Sequence, residues 1–250
     1  MGKKYSGKTC AYCGEAGVSA TRDHVLAREF FLEKDRKNLP VVPACIDCNN
    51  EKSKLEHYAL AVLPFASRHT DARDYAEQNL ERRLARNHAL RNALEIRRDG
   101  GWEPHLNGLI VPAMTIAIDT NKIYELFSLV VRGLFMHHWG KALDPAWQVD
   151  LQMFDPRGER EVIDNVSPKI IRQVAQTAKG NIGRGTFVYE AVQSAHLIQV
   201  SLWEFTIFGG LEFGADTKNR FLRLSRFYAV TRPEIDSGSA EHRIRLSCVP

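Results

Sequence analysis

The sequence predicts an α+β protein in two parts: a small module of two strands and a helix over residues 1–66, and a mixed domain over 67–250. Two observations support this. Two Cys-x-x-Cys pairs lie within the N-terminal part. Beyond residue 66, patterns of amphipathic helices are followed by the alternating apolar residues of antiparallel strands. The tail after about residue 232 is polar, and we expect it to be loose.

Composition is compatible with several functions. With 250 residues, 44% of them hydrophobic, the chain can form one small module and one ordinary domain. The formal net charge of +4 permits nucleic-acid binding without predicting a strong electrostatic footprint. No apolar run approaches the ~20 residues of a membrane span, and no signal-peptide core follows Met1. The sequence therefore favours a cytoplasmic protein with no membrane partner.

The two cysteine pairs predict a structural zinc site. Cys10 and Cys13 form the first pair, and Cys45 and Cys48 form the second about thirty residues later, a spacing typical of four-cysteine zinc modules. Gly14 fits the tight turn that such a pair requires. So short a segment buries little apolar surface, whereas structural zinc contributes on the order of 10–16 kcal/mol. Two redox or disulfide pairs are the alternative, which the absence of a βαβ pattern and of a signal peptide disfavours.

Three further residues suggest a second metal ion. Asp23 and His24 combine a hard carboxylate ligand with the side chain best suited to accept a proton near neutral pH. Asn49 directly follows Cys48, at the predicted start of a helix, and offers a neutral oxygen. A carboxylate and an amide oxygen suit a Mg²⁺ ion that keeps several waters and takes its other ligands from a phosphate.

In this order the residues resemble the HNH, or ββα-metal, nucleases, and in particular the zinc-stabilised branch that includes endonuclease VII. The resemblance covers residues 8–58, roughly a fifth of the chain. In that branch an Asp-His pair lies between the cysteine pairs and a metal-binding Asn follows the last cysteine. Here the third letter of the motif is Asn rather than His, a variant that the family tolerates. Asn50 could compete for the ligand role, and we favour Asn49 because it adjoins Cys48.

The resemblance implies a role for each matching residue. His24 would be the general base, and Asn38 would fix the loop that bears it, as part of the catalytic set. Asp23 and Asn49 would hold a catalytic Mg²⁺ or Mn²⁺ ion. Lys52 matches the basic residue of the family's "CN..K" ending and would bind substrate. The residues implied to hold structural zinc are Cys10, Cys13, Cys45 and Cys48.

The elements of the N-terminal part follow from this pattern. We expect strands over 21–26 and 38–43, joined by a charged connector in which Phe30 and Phe31 form a small core. A helix should begin at Asn49 and continue to Pro64, with an apolar stripe at helical spacing. Strand, strand and helix around a metal is the ββα-metal arrangement, which is the fold class that we predict for this module.

The second part reads as α+β without a recognisable site. Its residues 71–98 predict one long helix whose outer arginines form a solvated face, with a helix that tracks nucleic acid as the alternative. Asp119 and Thr120 begin a clean amphipathic helix that Gly140 ends. A basic, glycine-rich segment over 179–185 matches no phosphate-binding spacing and predicts a flexible turn. A short helix is expected over 167–178, and strands are expected over 109–118, 147–154, 187–192, 197–208 and 221–230.

The sequence thus predicts a metal-dependent endonuclease that hydrolyses phosphodiester bonds of nucleic acid. DNA rather than RNA is implied by the resemblance alone. A zinc module that binds nucleic acid or protein without catalysis is the alternative, and dependence on added Mg²⁺ or Mn²⁺ distinguishes the two. A third possibility keeps the nuclease and makes residues 67–250 a sensor, a docking unit for a partner protein or a homodimer interface, as in phage defence.

Overall fold

The structure is a computed structural model, which describes residues 4–67, 69–75, 79–96, 98–104, 110–116, 118–154, 173–211 and 226–233. Over these residues the chain is mixed α+β. An N-terminal strand–strand–helix unit carries a cluster of four cysteines, and a five-stranded antiparallel sheet packed with helices follows. The predicted fold class is confirmed at this level.

The N-terminal unit forms around one short hairpin. Strand β1 (Thr21–His24) pairs antiparallel with β2 (Val41–Ala44), so that Asp23 lies opposite Val42 and His24 opposite Val41. Helix α1 (Ile46–Val62) follows at once. It begins earlier than predicted because Cys45 is its N-cap, with Sγ accepting a hydrogen bond from the Cys48 amide.

The connector between β1 and β2 contains two single-turn 3₁₀ helices, Arg28–Phe30 and Glu33–Asp35. Phe30 and Phe31 are buried, as expected for a small core. This core is shared with the second part of the chain, since the rings of Phe30 and Phe208 lie 6.0 Å apart. A Cβ added to Gly183 would also approach Phe31 Cδ1 to 2.6 Å.

The predicted long helix over 71–98 is wrong. The described residues of this stretch form three short helices: α2 (Thr70–Tyr75), α3 (Glu81–Arg86) and α4 (His88–Ile96). Asn87 separates α3 from α4 because its φ of −125° and ψ of 81° are not helical, and its Oδ1 accepts a hydrogen bond from Leu90 N as a cap.

A hairpin follows these helices. Strand β3 (Arg98–Pro104) includes the Asp-Gly-Gly that directly follows the stretch predicted to be helical, and it pairs with β4 (Ile110–Ile116). The strand predicted over 109–118 is therefore present.

Helix α5 (Thr120–Trp139) forms as predicted and ends at Gly140, whose φ of 71° is left-handed. The helix packs on the large sheet, with the Phe127 ring 5.1 Å from Phe205 and 4.7 Å from Phe227. Among the described residues, no helix is both long and apolar enough to cross a membrane.

The large sheet has the strand order β5-β9-β8-β7-β6, antiparallel throughout. Alternate residues of its central strands, such as Trp203, Phe205 and Ile207, are buried. The strands are β5 (Trp147–Phe154), β6 (Val174–Ile182), β7 (Phe187–Ser194), β8 (Ser201–Ile207) and β9 (Arg226–Pro233).

The end of the predicted helix over 167–178 is wrong, because Val174 and Ala178 belong to β6. Residues 179–182 of the predicted turn also belong to β6. The turn itself comprises the next three residues, all of which have left-handed φ. β6 is an edge strand with mostly exposed side chains, so its apolar residues lack the alternation that marks a strand. The start of that helix lies outside the described residues, as does the tail beyond residue 233.

The two predicted parts share one core. A Cβ on Gly133 of α5 would lie 2.9 Å from Val25 Cγ1, and a Cβ on Gly14 would lie 2.8 Å from Leu143 O. Buried apolar residues of both parts belong to the same cluster. The boundary at residue 66 therefore stays a prediction from the sequence, and it coincides with no gap in the packing.

Candidate metal centre and adjoining Asp–His site

Four buried cysteines converge between the two strands and the helix. The Sγ atoms of Cys10, Cys13, Cys45 and Cys48 all lie within 4.8 Å of one another. Backbone amides approach the sulfurs: Cys45 N donates to Cys10 Sγ and Cys48 N to Cys45 Sγ, both at 3.4 Å. Tetrahedral zinc with Zn–S bonds of about 2.3 Å requires sulfurs about 3.8 Å apart. The donor set and its spacing therefore fit zinc.

Local hydrogen bonds build the first cysteine pair into a tight turn. Gly14 N donates to Cys10 O at 3.0 Å, and Cys10 N donates to Glu15 O at 2.9 Å. Gly14 has a φ of 76°, which glycine adopts at low cost. Ala11 N donates to Pro43 O at 2.9 Å, which brings this turn to the strand that precedes the second pair.

The electrostatics of the thiols also favour a cation. Hydrogen bonds from Cys13 and then Cys48 lower the pKa of Cys10 to about 2. The hydrogen bond to Cys10 raises the pKa of Cys13, and hydrogen bonding to Cys10 also raises that of Cys48. In the protein alone, one thiolate is thus stabilised at the expense of its neighbours. A bound dication would allow all four thiols to ionise.

Arg132 of α5 approaches this cluster from the second part of the chain. Its Nη2 donates to Trp147 O, and its buried Nη1 has no hydrogen-bond partner among the described residues. Burial lowers the pKa of Arg132, while Cys13 and Cys48 act in the opposite direction. A guanidinium here would offset part of the negative charge of four zinc-bound thiolates. Nothing in the local sequence around Arg132 indicates this position.

Asp23 is held from two sides. Tyr12 OH donates to Asp23 Oδ2 at 2.5 Å, and Lys52 Nζ lies 3.0 Å from the same oxygen. The Asp23 side chain is only 13% exposed. Burial, followed by the charge of Asp23, raises the pKa of Tyr12, so that the phenol keeps the proton it donates. Among the described residues, none donates a hydrogen bond to Oδ1.

Lys52 does not lie where the sequence placed it. The expected substrate-binding lysine is 0% exposed, and its Nζ contacts His24 O at 2.8 Å and Glu56 Oε1 at 2.5 Å in addition to Asp23. His24 O and Glu56 Oε1 accept hydrogen bonds from the ammonium group, and Asp23 Oδ2 is its ion-pair partner. A direct contact between Lys52 and a phosphate would require these contacts to break, so the substrate-binding role that the resemblance implies stays a prediction. Neither Tyr12 nor Glu56 was identified from the sequence.

His24 ends β1 with a half-buried ring that makes no hydrogen bond to any described residue. Burial lowers its pKa, and the positive charge of Arg22 lowers it further. The imidazole is therefore neutral at pH 7, which is the form that accepts a proton. Arg22 and Arg28 are both exposed, and their charges act on this ring.

Asn49 is placed better than Asn50 for the ligand role. Asn49 is half-buried and precedes Lys52 by three positions on α1, whereas Asn50 is exposed. Residues three apart are neighbours on a helix surface, so helix periodicity puts Asn49 on the side of α1 that carries Lys52. The choice of Asn49 over Asn50 as a metal ligand stays a prediction.

Asn38 makes no contact that would fix the His24 loop. Its side chain is exposed, it forms no hydrogen bond with the described residues, and its φ of 57° is left-handed. The loop is instead tied by Val25 N, which donates to Pro40 O at 2.9 Å. The structure thus gives Asn38 the part of a turn residue, in place of the side-chain clamp that the resemblance implied.

Fold and cluster together define a zinc-binding module of two strands and a helix within a larger α+β chain. Comparison with known proteins adds no family: no family model, no curated protein and no solved structure matches the chain. The likeness to HNH nucleases rests on the residues quoted above.

Glu56 gives the site a testable pH dependence. Burial raises the pKa of its carboxyl group from 4.5 to about 7, against the opposing effect of Lys52. The folded state therefore binds this proton more tightly than the unfolded chain does, so Glu56 makes the free energy of unfolding fall as the pH rises through this window. Glu56→Gln should remove that contribution, on the order of 3 kcal/mol over the whole window. Chemical denaturation of both proteins from about pH 4 to about pH 8, which spans the pKa values of 4.5 and about 7, measures it.

Glu51→Gln is the matched control. Glu51 lies on the same helix and pairs with Lys54 at 2.5 Å, but both side chains are exposed. This variant should keep the pH dependence of the parent. Parallel stability curves for the parent and Glu56→Gln would show that Glu56 is already ionised throughout the window.

Proposed function

We propose that the protein is a metal-dependent endonuclease that hydrolyses phosphodiester bonds of nucleic acid, with DNA as the favoured substrate. One observation carries the proposal. Asp23, whose carboxylate is held by Lys52, and His24, whose pKa is lowered by burial, are neighbours at the end of β1, and α1 carries Asn49 near its start. The buried four-cysteine cluster, which would hold zinc, belongs to the same strand–strand–helix unit.

Asp23, His24 and Asn49 would have different roles in this reaction. Asp23 and Asn49 would hold Mg²⁺ or Mn²⁺, and the bound ion would stabilise the charge that develops on the phosphate and on the leaving 3′ oxygen. His24 would take a proton from a water molecule whose oxygen attacks phosphorus. The P–O3′ bond then breaks, the 3′ oxygen takes up a proton, and a 5′-phosphate remains, as the resemblance implies. Neighbouring residues of a strand point to opposite sides of it. The phosphodiester would therefore bind at the end of β1, where it can contact both Asp23 and His24.

Exposed arginines replace Lys52 as candidates for phosphate contact. Arg22 and Arg28 are the cations whose charges act on His24 from the surface, and arginine suits phosphate through its forked donors. Residues 67–250 remain without a proposed ligand. Binding of a partner protein or of a second copy by this part stays a prediction.

The alternative function is a zinc module that binds nucleic acid or protein without catalysis. The ion pair between Asp23 and Lys52 favours it, because a buried ammonium already neutralises much of the carboxylate's charge. Asp23 and His24 would then be structural residues.

Dependence on a second metal separates the two functions. Zinc-loaded protein, freed of other divalent ions, should leave supercoiled plasmid intact and should nick or cut it when Mg²⁺ or Mn²⁺ is added. Duplex, branched and single-stranded DNA and RNA tested in parallel would identify the substrate. Asp23→Asn keeps the shape of the side chain and weakens metal binding, so it should abolish most cleavage.

Asp47→Asn provides the control for this substitution, since Asp47 is exposed in the first turn of α1. It should cleave like the parent. Full cleavage by zinc-loaded protein without added metal, or equal cleavage by Asp23→Asn, would contradict the proposed catalytic ion. Binding of nucleic acid with no cleavage under any of these conditions would favour the alternative.

A further inference from the structure

We propose that Tyr12 and Lys52 are positioning residues that together hold Oδ2 of Asp23, so that Oδ1 is the oxygen presented to the divalent ion. The zinc site would thereby be coupled to the second metal site through a single side chain. This inference rests on the proposed function and adds residues that the resemblance does not supply.

Tyr12 is the direct link between the two sites. It lies between Cys10 and Cys13, is 1% exposed, and its hydroxyl reaches Asp23 Oδ2 at 2.5 Å. The far side of its ring is confined by α5, since a Cβ on Gly133 would lie 3.4 Å from Tyr12 Cε1. The orientation of Tyr12 therefore depends on the turn that the zinc thiolates close. Loss of zinc would release the carboxylate as well.

Lys52 holds the same oxygen from α1. Its Nζ lies 3.0 Å from Asp23 Oδ2 and 5.6 Å from the centre of the Tyr12 ring, so the phenol and the ammonium enclose one carboxylate oxygen. Lys52 also donates to His24 O at 2.8 Å, which fixes the backbone between the proposed ligand and the proposed base. One lysine thus orients both halves of the Asp-His pair.

Glu56 resolves an electrostatic conflict. A cation beside Asp23 would by itself repel a second cation, and Lys52 would oppose metal binding. Glu56 Oε1 lies 2.5 Å from Lys52 Nζ and compensates this charge. When Glu56 is ionised, Asp23, Lys52 and Glu56 carry one net negative charge, as Asp23 would alone. Lys52, with its charge compensated by Glu56, can therefore hold Asp23 in place without cancelling the attraction of Asp23 for Mg²⁺.

Tyr12→Phe tests the link with the smallest change. The ring and its packing remain, but Asp23 Oδ2 loses one of its two partners. Loss of an outer-sphere hydrogen bond typically weakens metal affinity by about 10- to 100-fold. We expect the dissociation constant for Mn²⁺, measured by electron paramagnetic resonance on zinc-loaded protein, to rise at least several-fold while zinc content and melting temperature stay close to those of the parent.

Tyr189→Phe is the matched control. Tyr189 is also a buried tyrosine with a hydrogen-bonded hydroxyl, 2.8 Å from His138 Nε2, but it lies on the large sheet. It should bind Mn²⁺ as the parent does. Prior loading with zinc keeps Mn²⁺ from the cysteine cluster, so that the signal reports the second site.

The double variant Lys52→Met with Glu56→Gln tests the second contact at unchanged charge. At about pH 8, above the raised pKa of Glu56, it removes one positive and one negative charge and also the Lys52 contacts to Asp23 and His24. Weaker Mn²⁺ binding by this protein can then be assigned to lost orientation, because the net charge of the site is preserved. If Tyr12→Phe loses zinc, its Mn²⁺ affinity no longer reports on the hydrogen bond to Asp23. The Mn²⁺ affinity of the double variant then decides whether orientation of Asp23 matters.

The outcomes distinguish this inference from the proposed function. Parent protein that binds Mn²⁺ and cleaves, together with Tyr12→Phe and the double variant binding Mn²⁺ equally well, would overturn the positioning roles alone. Parent protein that binds no Mn²⁺ beyond the zinc site would overturn both. Weaker binding in both variants, with Tyr189→Phe unchanged, supports the coupling.

Discussion

Cys45→Ala is expected to unfold the N-terminal unit. The substitution removes one of four thiols that lie within 4.8 Å of one another, and structural zinc sites of this kind contribute on the order of 10–16 kcal/mol. A typical domain is stable by only about 5–15 kcal/mol. Cys45 is also the N-cap of α1, where Sγ accepts a hydrogen bond from Cys48 N at 3.4 Å. One change therefore removes a zinc ligand and a helix cap.

The consequence should extend beyond residue 66. Val25 lies against Gly133 of α5, and Gly14 against Leu143, so the second part of the chain packs directly on the zinc unit. We expect Cys45→Ala to lose zinc, helical signal in circular dichroism and cooperative thermal unfolding together. Retention of a cooperative transition by the second part alone would instead support the boundary at residue 66 as a domain boundary.

Cys248→Ala is the natural control, because Cys248 is the fifth cysteine of the sequence and stands outside the two Cys-x-x-Cys pairs. It should keep the zinc content and melting temperature of the parent. Cys45→Ala with the parent's zinc content and melting temperature would show that the cluster holds no structural metal.

The parts of the fold that were predicted correctly are those that depend on local sequence patterns. The spacing of the four cysteines reflects how two tight turns can share one ion, and the structure brings all four together. Helix α5 has a long apolar stripe and ends at a glycine, signals that depend only on neighbouring residues. Alternation likewise identified β7 and β8, which are central strands with one buried face.

The errors arose where long-range packing decides. Lys52 resembles any exposed lysine of an amphipathic helix, and only the docking of α1 on β1 surrounds it with Asp23, Glu56 and the His24 carbonyl. Tyr12 is simply a residue between two cysteines until the turn places its hydroxyl on Asp23. Burial of a charged group becomes recognisable only when its partners, distant in sequence, are known.

The same reason explains the misassigned edge strand. β6 acquires its conformation from pairing with β7, while its own side chains are largely exposed and carry little periodic signal. Arg132 of α5, whose pKa the cysteine cluster affects, is likewise distant from all four cysteines in the sequence. Such contacts have no counterpart in local sequence.

His24→Ala is expected to remove most cleavage while leaving the protein folded. Loss of a general base typically lowers the rate about 10²–10⁴-fold, equivalent to about 3–5 kcal/mol in the activation free energy. The ring is half-buried and makes no hydrogen bond to a described residue, and Lys52 binds the His24 carbonyl, which alanine retains. Zinc content and melting temperature should therefore remain close to those of the parent.

His196→Ala is the appropriate control, because His196 is an exposed histidine in the loop between β7 and β8. Initial rates on supercoiled plasmid in Mg²⁺ should fall for His24→Ala alone, and its affinity for Mn²⁺ should change little because the proposed ligands Asp23 and Asn49 remain. Loss of cleavage with metal affinity retained would separate proton transfer from metal binding, which Asp23→Asn cannot do. Equal rates for His24→Ala and the parent would contradict the assignment of His24 as the base.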